Sequence, residues 1–254
     1  MSSTLSRSDD SFFVIVGAQR CGTTYLYHLL DEHPSVEMAR PVRPEPKFFL
    51  EPDAVSRGLE TYHATHFGHR PGARVHGEKG TSYIESERAA RRIVELLPDP
   101  RIVLLVRDPV HRAISNYRFS VENGLETLPP ADALTEEAGA RPYDRARVSA
   151  SPFGYLRRGR YIEYLDMYLR YVPRDRIFVG ILEELVRGPD VFDSLCAFLG
   201  LAPKDQPRSG SPVNASEGAE PQLGDADMIR LRAYFQPTVE RLETFLGRKI
   251  DAWG

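Results

Sequence analysis

The stretch Phe12-Phe13-Val14-Ile15-Val16-Gly17-Ala18-Gln19-Arg20-Cys21-Gly22-Thr23-Thr24 joins an apolar run to a glycine-bounded loop and the opening of a helix. A buried strand ending in glycine lets the backbone N–H groups of the next turn converge on an anion, and the following helix N-terminus adds partial positive charge. The spacing of Gly17 and Gly22 matches the first half of a P-loop, but Thr23 stands where a nucleoside-triphosphate site carries lysine. Without that lysine the loop suits a 5′-phosphate-type group. Arg20 supplies the cation, and Gln19, Cys21, Gly22, Thr23 and Thr24 complete the cradle.

Beyond the loop, residues 23–32 read as a helix with Leu26, Leu29 and Leu30 on one face, ended by His33-Pro34. The alternating prolines of Arg40-Pro41-Val42-Arg43-Pro44-Glu45-Pro46-Lys47 exclude a helix interior and predict an extended crossing, anchored to the core by Phe48-Phe49-Leu50. A helix over 57–67, a strand over 74–77 leading into Glu78-Lys79-Gly80-Thr81, and a helix over 86–97 follow. Arg101-Ile102-Val103-Leu104-Leu105-Val106 is the strongest strand signal in the chain, an aliphatic run suited to a central parallel strand. Arg107-Asp108-Pro109 ends it, with proline placed for the first turn of a helix to about Val121. Residues 123–153 lose periodicity and are expected to pass over the active face. Helix over 154–171, strand over 176–181 and helix over 190–199 come next. A Pro-, Ser- and Gly-rich loop over 202–220 leads to a helix over 225–246, broken near Pro237. The alternation predicts an α/β fold: a P-loop-like central parallel β-sheet flanked by helices on both faces. Ligands then gather at the carboxyl ends of the strands, where Gly17 and Arg107 lie.

The 254 residues are expected to form one domain over 12–254 behind a disordered tail of residues 1–11. With 41% hydrophobic and 27% charged residues and a net charge of −3, the chain has no whole-molecule attraction for nucleic acid or a membrane surface. Of 33 basic residues only four are lysines, and Lys47 and Lys79 fall among the motifs discussed here. No signal-type apolar segment and no membrane span is legible, which predicts a cytoplasmic protein. Cys21 and Cys196 suggest neither a disulfide framework nor a zinc site. His63, His66 and His69 have metal-like spacing, but Gly68 and the absence of a paired carboxylate read as a scattered surface set. Tyr161, Tyr164, Tyr168 and Tyr171 read as a packing stripe.

Three separated pieces together resemble the PAPS-dependent sulfotransferases, most of all the heparan sulfate sulfotransferase branch and related bacterial enzymes. They are the loop from Gly17 to Thr24, the Glu45 to Phe49 segment, and Arg107-Asp108-Pro109 followed by Ser115. The resemblance spans roughly residues 12–250. It implies PAPS as cofactor, PAP as its product, and no metal. It places the phosphosulfate on the Gly17–Thr24 loop, the 3′-phosphate on Arg107 and Ser115, and the catalytic base at Glu45. Arg20 stands at the position of the family's loop lysine, Lys47 where heparan-type members have histidine, and Lys79 at the lysine of a Glu-Lys motif near the sulfuryl group. Leu50 replaces an acidic residue. The implied acceptor is a hydroxyl, in preference to an amine, of a small molecule, glycolipid or saccharide; a bacterial enzyme of secondary metabolism fits this pattern. The segments 123–153 and 202–220 are expected to shape its pocket. Two other readings stay open: a P-loop kinase using ATP and magnesium with Asp108 as the metal-binding acid, and a non-catalytic PAP-binding protein. Neither the acceptor's identity nor the oligomeric state is legible.

Overall fold

The computed structural model describes residues 10–144, 151–202 and 222–254. The apolar run forms β1 (Ser11–Gly17) and leads through the glycine loop into α1 (Thr23–Asp31). After β2 (Val36–Met38) come a 3₁₀ turn (Phe48–Leu50), α2 (Ala54–His66) and β3 (Val75–Lys79). A second 3₁₀ turn (Tyr83–Glu85), α3 (Glu87–Leu96), β4 (Arg101–Val106) and α4 (Pro109–Glu122) follow. The chain continues through α5 (Pro130–Ala133), α6 (Glu136–Gly139), α7 (Tyr161–Leu169) and β5 (Ile177–Ile181). It closes with α8 (Leu182–Arg187), α9 (Asp190–Leu199) and α10 (Asp225–Leu246).

The strands form one sheet in the order β2-β3-β1-β4-β5, and every pairing is parallel. Because strand side chains alternate between faces, β1 serves two cores at once. Phe12, Val14 and Val16 join Phe49, Tyr62, Ile93 and Tyr161, whereas Phe13 and Ile15 join Leu26, Leu30, Phe192 and Leu199. The first set brings α2, α3 and α7 onto one face and the second brings α1 and α9 onto the other, which is the expected architecture. Burying each such side chain stabilises by about 1.5–3 kcal/mol, so β1 alone anchors a large part of the core. The chain order reverses at β1, with β2 and β3 to one side and β4 and β5 to the other. A crevice therefore opens at the carboxyl ends of β1 and β4, where ligands of such sheets collect.

Several expectations change in detail. Ser11, assigned to the tail, already pairs with Val75, while residues 1–9 lie outside the described residues. β3 runs two residues beyond Gly77, so Glu78 and Lys79 belong to the strand rather than to the turn after it. The proline crossing bends at residues 42–44 instead of running extended. Residues 154–171 are not one helix; a 3₁₀ turn (Arg157–Gly159) precedes α7. Gly159 is required there, since a Cβ would lie 2.6 Å from the Phe235 ring. α10 passes through Pro237 without interruption, because Leu231, Phe235 and Leu242 are buried on both sides of it. Most of the 202–220 loop falls in residues 203–221, outside the described residues. No helix among the described residues is long and apolar enough to cross a membrane.

Phe48 and Phe49 anchor the proline crossing as expected, and a buried carboxylate fastens them. The Glu78 side chain is fully enclosed; Tyr62 donates to its Oε2 at 2.7 Å and Tyr83 donates to its Oε1. The Tyr83 oxygen in turn accepts the Phe49 N–H at 3.3 Å, and Arg92 donates to the carbonyls of Phe49 and Pro52, each at 3.1 Å. Burial pushes the Glu78 carboxyl up to about 7, against the opposing pull of the two tyrosine hydrogen bonds. The unfolded chain ionises this group near 4.5 and the folded chain near 7, so between those values the folded state holds more protons. Stability should therefore fall as pH rises through that window, by on the order of 3 kcal/mol from this group. Urea denaturation across the window should show a flatter profile for Glu78→Gln than for the parent. An unchanged slope would assign the proton uptake to another residue.

Candidate active site

The loop after β1 is shaped by short backbone contacts and one unavoidable glycine. The Ala18 N–H donates to the Leu105 carbonyl of β4 at 2.8 Å, and the Cys21 N–H donates back to Ala18 at 3.3 Å. Gly22 adopts φ 76°, a left-handed conformation, and a Cβ there would lie 2.5 Å from Leu182. As the residue preceding α1 it offers no side chain, and no side chain caps that helix. The first-turn N–H groups, including those of Thr23 and Thr24, are thus left to an anion, with the helix dipole in support. Gln19 carries a buried side-chain oxygen with no hydrogen-bond partner.

Cys21 contributes through the backbone alone. Its thiol is buried 3.6 Å from the Tyr161 hydroxyl, and burial pushes its pKa up to about 11. Tyr161 also donates to the Arg107 carbonyl at 2.8 Å, so one hydroxyl ties the loop after β1 to the end of β4. The tyrosine stripe packs as expected, with Tyr161, Tyr164 and Tyr168 buried.

Arg20 also adopts a left-handed backbone, φ 68°, which sends its side chain across the crevice. Its Nε donates to the Ser115 Oγ at 3.1 Å, and its guanidinium lies 5.0 Å from the Phe119 ring centre, both residues being on α4. Burial lowers the Arg20 pKa below the usual guanidinium value; Glu122 opposes the shift, and the neighbouring charges of Arg107, Arg112 and Arg118 add to it. Arg112 is fully buried beneath this group, donating to Asn116 Oδ1 at 3.2 Å and to the Tyr155 carbonyl. Arg107 lies beside Glu183, with Nε 3.9 Å from Oε1. Glu183 is itself held by the Asp108 N–H at 3.1 Å and the Trp253 indole N–H at 3.0 Å. The result is a basic pocket at the carboxyl ends of β1 and β4. Asp108 has a different task from the one a kinase would give it: its Oδ1 accepts the His111 N–H at 2.8 Å and caps α4.

A second group lies at the carboxyl end of β3, the strand beside β1. Lys79 Nζ donates to Glu45 Oε1 at 2.6 Å, with the lysine 4% exposed and the glutamate 15%. The Thr81 N–H donates to Glu45 Oε2 at 2.9 Å, and the Thr81 hydroxyl lies 3.0 and 3.2 Å from the two carboxylate oxygens. Gly80 hydrogen-bonds the Ile15 carbonyl at 3.0 Å, which joins this group to the strand that carries the loop. Lys47 is half-buried in a left-handed conformation, φ 54°, at the start of the Phe48–Leu50 turn.

The structure thus brings Arg20 to Ser115, sets Arg107 close to Arg20, and joins Glu45 to Lys79. Thr81 and Arg112 were not read as site residues from the sequence, and Tyr161 was read only as packing. Only the hydroxyl just after Glu78-Lys79 carried a usable signal, since an arginine or tyrosine on an amphipathic helix reads as surface or packing. The histidine trio does not form one set: His66 is buried with Nδ1 2.9 Å from the Arg40 carbonyl, His69 lies 3.2 Å from Glu37, and His63 faces His76 instead.

Comparison with known proteins identifies the family and the fold. The family described as "Sulfotransferase domain" matches residues 10–210. A heparan sulfate glucosamine 3-O-sulfotransferase 6 of Mus musculus is 32% identical over 257 residues, covering 92% of this chain and 71% of that protein. The Homo sapiens protein of the same name is 34% identical over 176 residues, covering 69% of this chain and 48% of its own length. The crystal structure of a sulfotransferase from Alicyclobacillus acidocaldarius superposes with a TM-score of 0.74 at 29% identity, covering 98% of this chain and 99% of that one. With a family match over most of its length and a shared fold from end to end, the chain belongs to the PAPS-dependent sulfotransferase family and is a transferase of the sulfuryl-transferring class.

Proposed function

We propose that the chain transfers a sulfuryl group from PAPS to a hydroxyl of a small-molecule, glycolipid or saccharide acceptor, with Glu45 as general base. One observation carries this reading: the Glu45 carboxylate is held 2.6 Å from Lys79 Nζ at the mouth of the strand beside the anion loop. The residues present fit PAPS, because the pocket offers one uncapped helix N-terminus and separate arginine and hydroxyl groups across the crevice. When bound, PAPS supplies the activated sulfuryl group and leaves as PAP.

The loop N–H groups and Arg20 bind the 5′-phosphosulfate, and Arg107 with Ser115 binds the 3′-phosphate through charge-assisted contacts. Glu45 removes the proton from the acceptor hydroxyl as that oxygen becomes nucleophilic. Lys79 and Thr81 hold the carboxylate in place for that transfer. Lys79 also puts an ammonium beside the reacting centre, where Arg20 cannot readily give up a proton. Lys47 tunes the base from the same segment. We assign the acceptor to a cavity of about 230 Å³ lined by Glu85, Thr135, Glu136, Arg157, Arg158 and Arg160, whose polar lining suits a hydroxyl-bearing molecule and which none of the proposed site residues lines. Thr135 and Glu136 come from the 123–153 segment, in keeping with its proposed part in acceptor choice. We assign the activity to one unit over residues 12–254, acting in the cytoplasm.

PAP added without metal should raise the melting temperature, and ATP with magnesium should do little, because a ligand stabilises only the state it binds. The reverse order would return the kinase reading. Arg107→Ala should weaken PAP by about 2 kcal/mol or more, yet hardly change binding of adenosine 5′-phosphosulfate, which lacks the 3′-phosphate. Equal losses for both ligands in calorimetry would place Arg107 elsewhere. With an acceptor found by screening against labelled PAPS, Glu45→Gln should lower turnover roughly 10²- to 10⁴-fold and leave PAP affinity within about threefold. Near-parental turnover would remove Glu45 from the role of base.

A further inference from the structure

The foot of the sheet, at the end opposite the anion loop, holds a cluster that sulfuryl transfer does not use. Asp10 immediately precedes β1, His76 is the second residue of β3 and pairs with Phe12, and His63 comes from α2. Each offers one ligand atom, and the three atoms all lie within 4.8 Å of one another. His76 is 3% exposed, and neither of its ring nitrogens makes a hydrogen bond. A buried imidazole needs polar partners, and two carboxylates stand beside it as long ion pairs without well-formed hydrogen bonds. Asp10 Oδ2 lies 3.5 Å from Nε2, and Glu37 Oε2 lies 3.4 Å from Nδ1.

Those distances have a simple chemical meaning. Metal–ligand bonds of about 2.0–2.2 Å to nitrogen and oxygen set tetrahedral ligand–ligand edges of roughly 3.3–3.6 Å. The Asp10–His76 separation falls on that edge. The His63 and His76 rings are 4.9 Å apart at an interplanar angle of 74°, an arrangement in which two imidazoles can address one point from different directions. Glu37 is anchored by the N–H groups of Gly68 and His69, each at 2.7 Å, and of Arg70 at 2.9 Å, so its other oxygen is fixed facing His76 Nδ1. A carboxylate on one imidazole nitrogen, with the other directed at a metal, is the usual outer support of a histidine ligand. Phe12 and Phe67 pack against His76 at 5.4 and 5.1 Å between ring centres and wall the cluster with apolar surface.

We propose that Asp10, His63 and His76 bind one zinc ion, with water in the fourth position, joining α2 to the starts of β1 and β3. Two nitrogens and one carboxylate oxygen suit zinc, whereas calcium and magnesium favour oxygen-rich sets. His76 lies three residues before Lys79 along β3, about 10 Å at the strand rise, so the ion takes no part in the transfer chemistry. Its effect is on folding: metal binding to the folded arrangement alone stabilises the strand starts and α2.

The test is zinc binding by the full chain. After incubation with zinc alone and desalting, elemental analysis should find close to one equivalent per chain, and zinc should raise the melting temperature in a way that chelator reverses. His63→Ala replaces a partly exposed side chain and should fold; it should lower zinc affinity about 100-fold while PAP raises its melting temperature as in the parent. Asp10→Asn should lose zinc affinity in the same direction. The proposal is overturned if the parent retains no zinc, or if His63→Ala retains as much as the parent. Either result would leave His76 as a core histidine beside Asp10 and Glu37.

Discussion

Like charges gathered in a half-buried space repel, and the catalytic end of this molecule is organised around that problem. Burial is the main reason the Arg20 charge is disfavoured, and Arg107, Arg112 and Arg118 add to it. Like charges brought together near a protein surface repel, and the sheet and α4 hold this group in place against that repulsion. Glu183 and Glu122 relieve the repulsion in part, and Arg112 is buried against Asn116 and the Tyr155 carbonyl. A dianionic ligand would relieve the rest. On the proposed reading, filling the pocket with a bisphosphate would offset this repulsion, and affinity would then depend on the rigidity of β1, β4 and α4.

The elements that hold the pocket were the most legible parts of the sequence. β1, β4 and α9 are bounded, strongly apolar and long enough for their period to show, and α4 announces itself by Asp108-Pro109. β2 has three residues with Glu37 in the middle, and α8 follows β5 with no intervening turn, so neither carried a period of its own. Pro237 pointed to a break in α10 that tertiary burial overrode. Local rules describe what a segment prefers; packing on both sides of the segment decides what it does.

The site divides in the same way. Motif order pointed to Glu45, Lys79, Arg20 and Ser115 one by one, but the contacts between them cross 34 and 95 residues of chain and follow from sheet order. Strand register also decided the partners of His63. Spacing along the chain set His66 and His69 near it, and all three read as a scattered surface set, whereas the pairing of Phe12 with His76 delivers His76 and Asp10 to its side. Arg112 was invisible because its importance lies in being enclosed, and enclosure is a property of three elements at once; Tyr161 was legible only as packing.

Cys21 sits in the middle of the anion loop, yet its thiol turns inward to Tyr161 with a pKa of about 11. Only the thiolate is strongly nucleophilic, and at neutral pH roughly one such thiol in ten thousand is ionised. Alkylating agents, peroxide and disulfide exchange therefore reach this sulfur only when the loop opens. The rate of Cys21 labelling would therefore report any opening of the loop.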